Sequence, residues 1–162
     1  MTPTVSLRDV RESDLPIFFE QQLDPTANYM AAFASANPAD RDAFTAHWRT
    51  NLADENNTTK AILFDEQVAG NIVSYEDAGR REVGYWLGKL YWGKGIATAA
   101  LAQFLQQVPE RPLYARAAKD NRASLRVLQK CGFTIVGEDK GFANARGEEV
   151  EEWILQLDLS GR

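Results

Sequence analysis

Leu87-Gly88-Lys89-Leu90-Tyr91-Trp92-Gly93-Lys94-Gly95-Ile96-Ala97-Thr98 leaves a strand and enters a helix through three glycines. Glycine lets the chain turn there and lets backbone approach a ligand with no Cβ in the way. A helix start presents N–H groups that have no partner inside the helix. The helix dipole reinforces them, so the segment is a candidate cradle for phosphate oxygens. Lys94 adds charge and Thr98 a hydroxyl donor. Two named phosphate loops fail on these residues. Gly88, Gly93 and Lys94 have the spacing of a Walker loop, but Gly95 stands where the magnesium-binding hydroxyl belongs. A dinucleotide fingerprint wants glycine or alanine where Thr98 stands, and it wants strands joined through a helix; the strands before this loop are hairpin-linked.

Working outward, Glu82–Leu87 reads as the strand that feeds the loop, and Gly93–Val108 as a helix with Ile96, Ala97, Ala100, Leu101, Phe104 and Leu105 on one face. Upstream, Lys60–Phe64 and Val68–Tyr75 form a hairpin about Asp65-Glu66-Gln67, and Gly79-Arg80 turns into the next strand. Downstream come a strand at Leu113–Ala118, a short helix at Asn121–Lys130 stopped by Gly132, and strands at Phe133–Val136 and Val150–Leu159. The N-terminal third reads as a strand at Val5–Arg8 and a helix capped by Ser13 or Asp14 that runs through Leu23. Asp24-Pro25 breaks that helix. A second helical stretch lies near Tyr29–Ala34, and a third opens at Pro38-Ala39-Asp40 and carries Phe44, Trp48 and Leu52. The order predicts an α/β sandwich on a mixed sheet.

The 162 residues suit one domain, 1–162, with no repeat or linker. One cysteine, Cys131, excludes an intramolecular disulfide framework, and with His47 the only histidine no metal site is expected. His47 reads as a surface helix residue and Cys131 as a buried small side chain. There is no basic-then-apolar leader and no run long enough to span a membrane, so a cytoplasmic protein is expected, with no membrane partner. The net charge of −5 argues against nucleic acid. Its distribution says more. Residues 80–132 hold ten Lys or Arg against three acids, a local +7, which leaves −12 on the remainder. A basic middle in an acidic chain suits a small polyanion there and a cationic partner elsewhere.

Glu82-Val-Gly-Tyr-Trp-Leu87, Trp92-Gly-Lys-Gly-Ile-Ala97 and Asn121-Arg-Ala-Ser124-Leu-Arg-Val-Leu-Gln-Lys-Cys-Gly-Phe133 together resemble the GNAT N-acetyltransferase superfamily, most closely its RimJ/RimL-type ribosomal-protein subgroup. The resemblance follows element order over residues 5–158 and is specific over 82–133. It implies a mostly antiparallel sheet of about seven strands, flanked by helices on both faces, with splayed parallel strands at 82–88 and 113–118. Acetyl-CoA would lie in the splay as acyl donor. Its pyrophosphate would meet Trp92, Gly93, Lys94, Gly95, Ile96, Ala97 and Thr98, and its pantetheine amides the free backbone of Trp86, Leu87 and Gly88. Asn121 would hold the cofactor arm and Ser124 would lie near the sulfur. The resemblance also admits a homodimer. Two residues depart from the family pattern: Trp92 stands where Arg or Gln is usual, and Leu128 where a general-acid tyrosine is often found.

The implied reaction is direct attack of a primary amine, a protein α-amine or a small molecule, through a tetrahedral intermediate. An α-amine of pKa ~8 or a lysine of ~10.4 must first lose a proton. Glu82 matches the base position; the alternative is a solvated strand glutamate beside Arg81. Ser124 is either an acid or sulfur partner, or a helix-start hydroxyl. The Leu87 N–H is a donor for the carbonyl oxygen. Tyr29 and Trp48 lie in the region that would form the acceptor wall, or else pack the core, and Tyr85 is a spare donor. A different function remains open, a catalytically silent acyl-CoA-binding or regulatory domain of the same fold.

Overall fold

The computed structural model describes residues 4–32 and 35–158. Seven strands pair in one sheet: β1 Val5–Asp9, β2 Thr58–Phe64, β3 Gln67–Asp77, β4 Arg80–Leu87, β5 Leu113–Ala118, β6 Thr134–Ala143 and β7 Glu148–Leu157. Their order across the sheet is β1-β2-β3-β4-β5-β7-β6. Every neighbouring pair is antiparallel except β4–β5, which runs parallel and is in register only at Arg81–Leu113 and Glu82–Tyr114. Beyond Glu82 the two strands part, so the splay expected from the sequence is present.

Helices α1 Leu15–Gln21, α2 Pro25–Ala31 and α3 Arg41–Ala53 precede the hairpins; α4 Ile96–Gln107 and α5 Arg122–Lys130 follow β4 and β5. Strand alternation sends Val83 and Leu87 of β4, Leu113, Ala115 and Ala117 of β5, and Leu155 and Leu157 of β7 to one face. There they pack with Ile96, Ala100, Leu101 and Phe104 of α4 and Leu128 of α5. On the other face, Leu15 and Phe18 of α1 pack with Trp48 of α3 over Ala61 and Val73. Glu82, Gly84 and Trp86 point to this second face.

Several elements differ from their sequence reading. Asp24-Pro25 does not merely break a helix; it starts α2. Asp24 accepts from the amides of Thr26 (2.9 Å) and Ala27 (3.2 Å), and Pro25 takes the first helical position, where its missing N–H costs nothing. The stretch expected at 29–34 therefore lies earlier; its last two residues are outside those described. Asp14 stands at the N-cap position of α1, as expected, but its side chain bonds no amide of that helix. Its buried carboxylate accepts from Arg8 Nη1 (2.7 Å), Arg8 Nη2 (2.9 Å) and the Arg11 amide (2.8 Å). The first helix stops at Gln21 rather than Leu23. Strand β6 runs to Ala143 instead of ending at Val136, because its middle is Gly137-Glu-Asp-Lys-Gly141 on an exposed sheet edge, where no apolar alternation is required. β7 opens at Glu148, two residues before the expected start, and Leu159 is outside the described residues.

Candidate active site

The ladder between β3 and β4 sets which backbone groups face the splay. The Gly88 amide donates to Ala69 O at 2.8 Å, and the register pairs Asn71 with Trp86, Gly70 with Leu87 and Ile72 with Tyr85. Hydrogen-bonded and non-bonded pairs alternate in an antiparallel ladder. The polar backbone groups of Leu87 and Tyr85 therefore turn away from β3, toward the gap left by β5. Those of Trp86 and Gly88 do not, which corrects the expectation that all three residues from Trp86 to Gly88 offer free backbone. Nor is the Leu87 carbonyl open, because Trp92 Nε1 donates to it at 3.0 Å. Trp92 thus clips the loop closed. What remains for a ligand is the Leu87 N–H and the Tyr85 N–H and C=O. Gly70 makes this approach of β3 and β4 possible: a Cβ there would sit 2.0 Å from Trp86 O.

Past the clip, Gly93 (φ 74°) and Gly95 (φ 76°) take the left-handed conformation that side chains resist. Gly95 caps α4 with no side-chain acceptor and no acid in the first turn, and the first intrahelical bond is Ala99 N–H to Gly95 O, at 3.2 Å. Ile96, Ala97 and Thr98 thus keep amides with no helical partner. The side chain of Ile96 is buried in the core, so its contribution to a ligand is through backbone. Lys94 of the loop and Arg122, Arg126 and Lys130 of α5 are exposed and, among the described residues, form no ion pair. Other cations of the basic middle are spent internally: Arg116 on Glu152, Lys119 on Glu138 and Glu151, and Arg111 on backbone carbonyls.

Glu82 is 4% exposed. It lies between Tyr75 of β3 and Tyr114 of β5 in the register, and burial pushes its carboxyl above the usual carboxylate range although Arg116 opposes the shift. Arg116 itself is held by Glu152 (2.7 Å) and Asp139 (3.3 Å). The sequence reading missed this ion network. Its signal was a single charged residue in the apolar strand Leu113–Ala118, at the alternate position that shares a face with Glu82.

On the opposite face, Ser124 sits in the first turn of α5 and its Oγ accepts from Tyr85 Oη at 3.3 Å. Burial raises the Tyr85 phenol, and the bond to Ser124 partly offsets the rise. Asn121 does not extend toward a cofactor. Its Oδ1 accepts from the Ser124 amide and its Nδ2 donates to Met30 O, both at 3.2 Å, so it caps α5 and ties α2 to it. Trp48 is 6% exposed with its ring 5.0 Å from Phe18, a core residue rather than an acceptor wall. Tyr29 is exposed on α2, with the Arg146 guanidinium 4.3 Å over its ring and bonded to Asp120. Trp86 Nε1 donates to Gln21 O at 3.2 Å, which ties β4 to α1. Cys131 donates weakly to Thr98 O, and Leu128 is buried core.

A buried carboxylate thus lies on one face of the parted parallel pair, a hydroxyl couple on the other, and an uncapped glycine turn at its end. The chain matches the acetyltransferase (GNAT) domain family over residues 4–134 and belongs to it; the GNAT acetyltransferases are acyltransferase enzymes. It is 31% identical over 117 residues to YdaF of Bacillus subtilis, a candidate ribosomal N-acetyltransferase; the match covers 65% of this chain and 64% of that one. Among solved structures, RimJ of Mycobacterium smegmatis bound to a CoA disulfide superposes with a TM-score of 0.78 at 21% identity, covering 96% of this chain and 82% of that one. A spermidine N-acetyltransferase of Vibrio cholerae, bound to CoA and spermine, superposes with a TM-score of 0.81 at 14% identity, covering 97% and 96%. These two likenesses concern the fold. No helix among the described residues is long and apolar enough to cross a membrane.

Proposed function

We propose that the protein transfers the acetyl group of acetyl-CoA to a primary amine. The observation that carries this reading is the Gly93–Thr98 turn: two left-handed glycines, a helix start with no side-chain cap and the unpaired Lys94, next to the outward-facing N–H of Leu87. A CoA thioester needs both features, anion-binding amides for its diphosphate and a parted strand edge for its amide arm. Lys94, Arg122, Arg126 and Lys130, which are exposed and form no ion pair among the described residues, fit the same ligand. The donor supplies an activated carbonyl and a thiol leaving group.

The residues then divide the work. Glu82 takes the proton of the ammonium acceptor, directly or through water; its raised proton affinity brings it closer to that task. The Leu87 N–H donates to the carbonyl oxygen as negative charge gathers there, a role commonly worth about 3 kcal/mol. Ser124 lies on the far face and offers its hydroxyl to the sulfur. The acidic character outside the basic middle favours a cationic acceptor, as does the Glu82 face, where Asp77, Glu82, Asp139 and Glu152 outnumber Arg80 and Arg116. A ribosomal-protein α-amine and a polyamine both fit that description. The test is thiol release from acetyl-CoA against an amine panel, with melting temperature read alongside. Binding without release on any amine selects the silent CoA-binding reading, and absence of binding at millimolar acetyl-CoA removes both.

A further inference from the structure

In the first turn of a helix, a serine hydroxyl commonly donates back to a nearby carbonyl or caps a neighbouring amide. Ser124 does neither. Asn121 already caps α5, and Ser124 Oγ instead accepts the phenol proton of Tyr85, at 3.3 Å. One lone pair of that oxygen is thereby fixed, while its own hydrogen has no acceptor among the described residues. The partner comes from β4, so the bond ties α5, which follows β5, to the strand on the other side of the splay. Tyr85 is partly buried against the α4–α5 core, with its ring packed among apolar side chains. Among the described residues Ser124 is the phenol's hydrogen-bonding partner, and Cys131 lies close enough to raise the phenol a little further.

The geometry points to Tyr85 as a positioning residue: its phenol locks the Ser124 rotor so that the serine hydrogen is aimed into the splay, at the sulfur of the leaving thiol. This rests on the acetyl-transfer reading but assigns a second residue that the reading does not need. In the step it serves, the nitrogen–carbon bond forms and the carbon–sulfur bond breaks with its electron pair on sulfur. The proton lost by nitrogen reaches sulfur through Glu82 and water. Ser124 keeps its own proton and donates a hydrogen bond to the sulfur while it carries charge. A serine free to rotate would satisfy itself on the helix backbone for part of the time; the Tyr85 bond engages one lone pair and narrows the positions open to the serine hydrogen. The motif tyrosine absent at Leu128 is not replaced by another acid; the sulfur is met by an oriented hydroxyl.

The experiment titrates the thiol of bound CoA in the wild-type protein, Tyr85→Phe, Ser124→Ala and the double variant. The signal is thiolate absorbance, taken as the difference between the CoA complex and the complex with desulfo-CoA, so that tyrosine ionisation cancels. The inference expects the bound thiol to titrate lower in wild type than in either single variant, by about one pH unit, with affinity for CoA unchanged at pH values where the thiol is protonated. It expects the double variant to match Ser124→Ala, since Tyr85 acts only through Ser124. In turnover, kcat should fall about tenfold in Tyr85→Phe with KM for acetyl-CoA unchanged. Equal titration in wild type and Tyr85→Phe overturns the inference, as does a double variant whose loss is the sum of the singles. The titration needs no turnover. A protein that binds CoA yet acetylates nothing still decides it, and a protein that fails to bind CoA overturns this inference together with the reading beneath it.

Discussion

Glu82 shows what one residue's surroundings do to its chemistry. Burial on a sheet face beside Tyr75 and Tyr114 raises its proton affinity, against the pull of Arg116. A carboxyl with a folded pKa above its unfolded one favours the folded state when protonated. That contribution is complete at low pH and is lost as pH rises through the folded pKa. At neutral pH the ionised group therefore costs stability. Glu82→Gln is expected to melt above wild type at pH 7, with the gap closing as pH falls below the ordinary carboxylate range; calorimetry across that range checks it. The same substitution should lower kcat toward an amine by about 10²–10⁴-fold. Loss of activity combined with gain of stability marks a group kept for chemistry, and unchanged kcat would remove Glu82 as base. The motif that begins at Glu82 made its position legible. Arg116 left one sign, a charge in an otherwise apolar strand, whereas Glu152 was not legible, because no local pattern places β7 beside β5.

At the scale of elements, glycines set the site's shape in two different ways. Gly95 is needed for its dihedral: a Cβ there meets nothing within 4 Å, yet φ is 76°. Gly95→Ala should cost about 1–2 kcal/mol of stability through strain and weaken acetyl-CoA binding at least tenfold by disturbing the amides that follow. Gly70 is needed for space, because its Cβ would fall 2.0 Å from Trp86 O. Gly70→Ala must push β3 and β4 apart where Leu87 faces the splay. It is expected to lower Tm by more than Gly95→Ala does, and a variant with an unchanged melting curve would show that the strands can yield. The sequence made the first glycine legible, since a loop-to-helix junction rich in glycine has few uses. It hid the second, whose constraint comes from a partner strand across the ladder. Asp24-Pro25 teaches the same lesson at a helix end: residues that stop one helix can also begin another, and only the direction of the capping bonds tells which.

Across the whole molecule, the charge pattern is the feature that sequence and structure share most directly, though the structure thins it. Ten cations crowd residues 80–132, but Arg116 and Lys119 are bound to acids of β6 and β7. Lys94, Arg122, Arg126 and Lys130 form no ion pair among the described residues and lie around the start of α4 and along α5. If these exposed charges hold the phosphates of the donor, affinity must be screened by salt, because the Debye length shrinks from roughly 14 Å near 0.05 M to about 4 Å near 0.5 M. Acetyl-CoA affinity, measured by titration calorimetry over that range, is expected to fall about tenfold or more. Replacing Arg122 and Arg126 together with alanine should weaken binding at low salt and flatten the dependence, with Tm little changed, since neither makes an ion pair that folding would miss. Replacing Lys119 with alanine should leave the salt dependence intact, because its charge is already balanced by Glu138 and Glu151. A salt profile indifferent to the two arginines, or one that moves with Lys119 instead, would place the phosphates elsewhere on the surface and leave the glycine turn without its ligand.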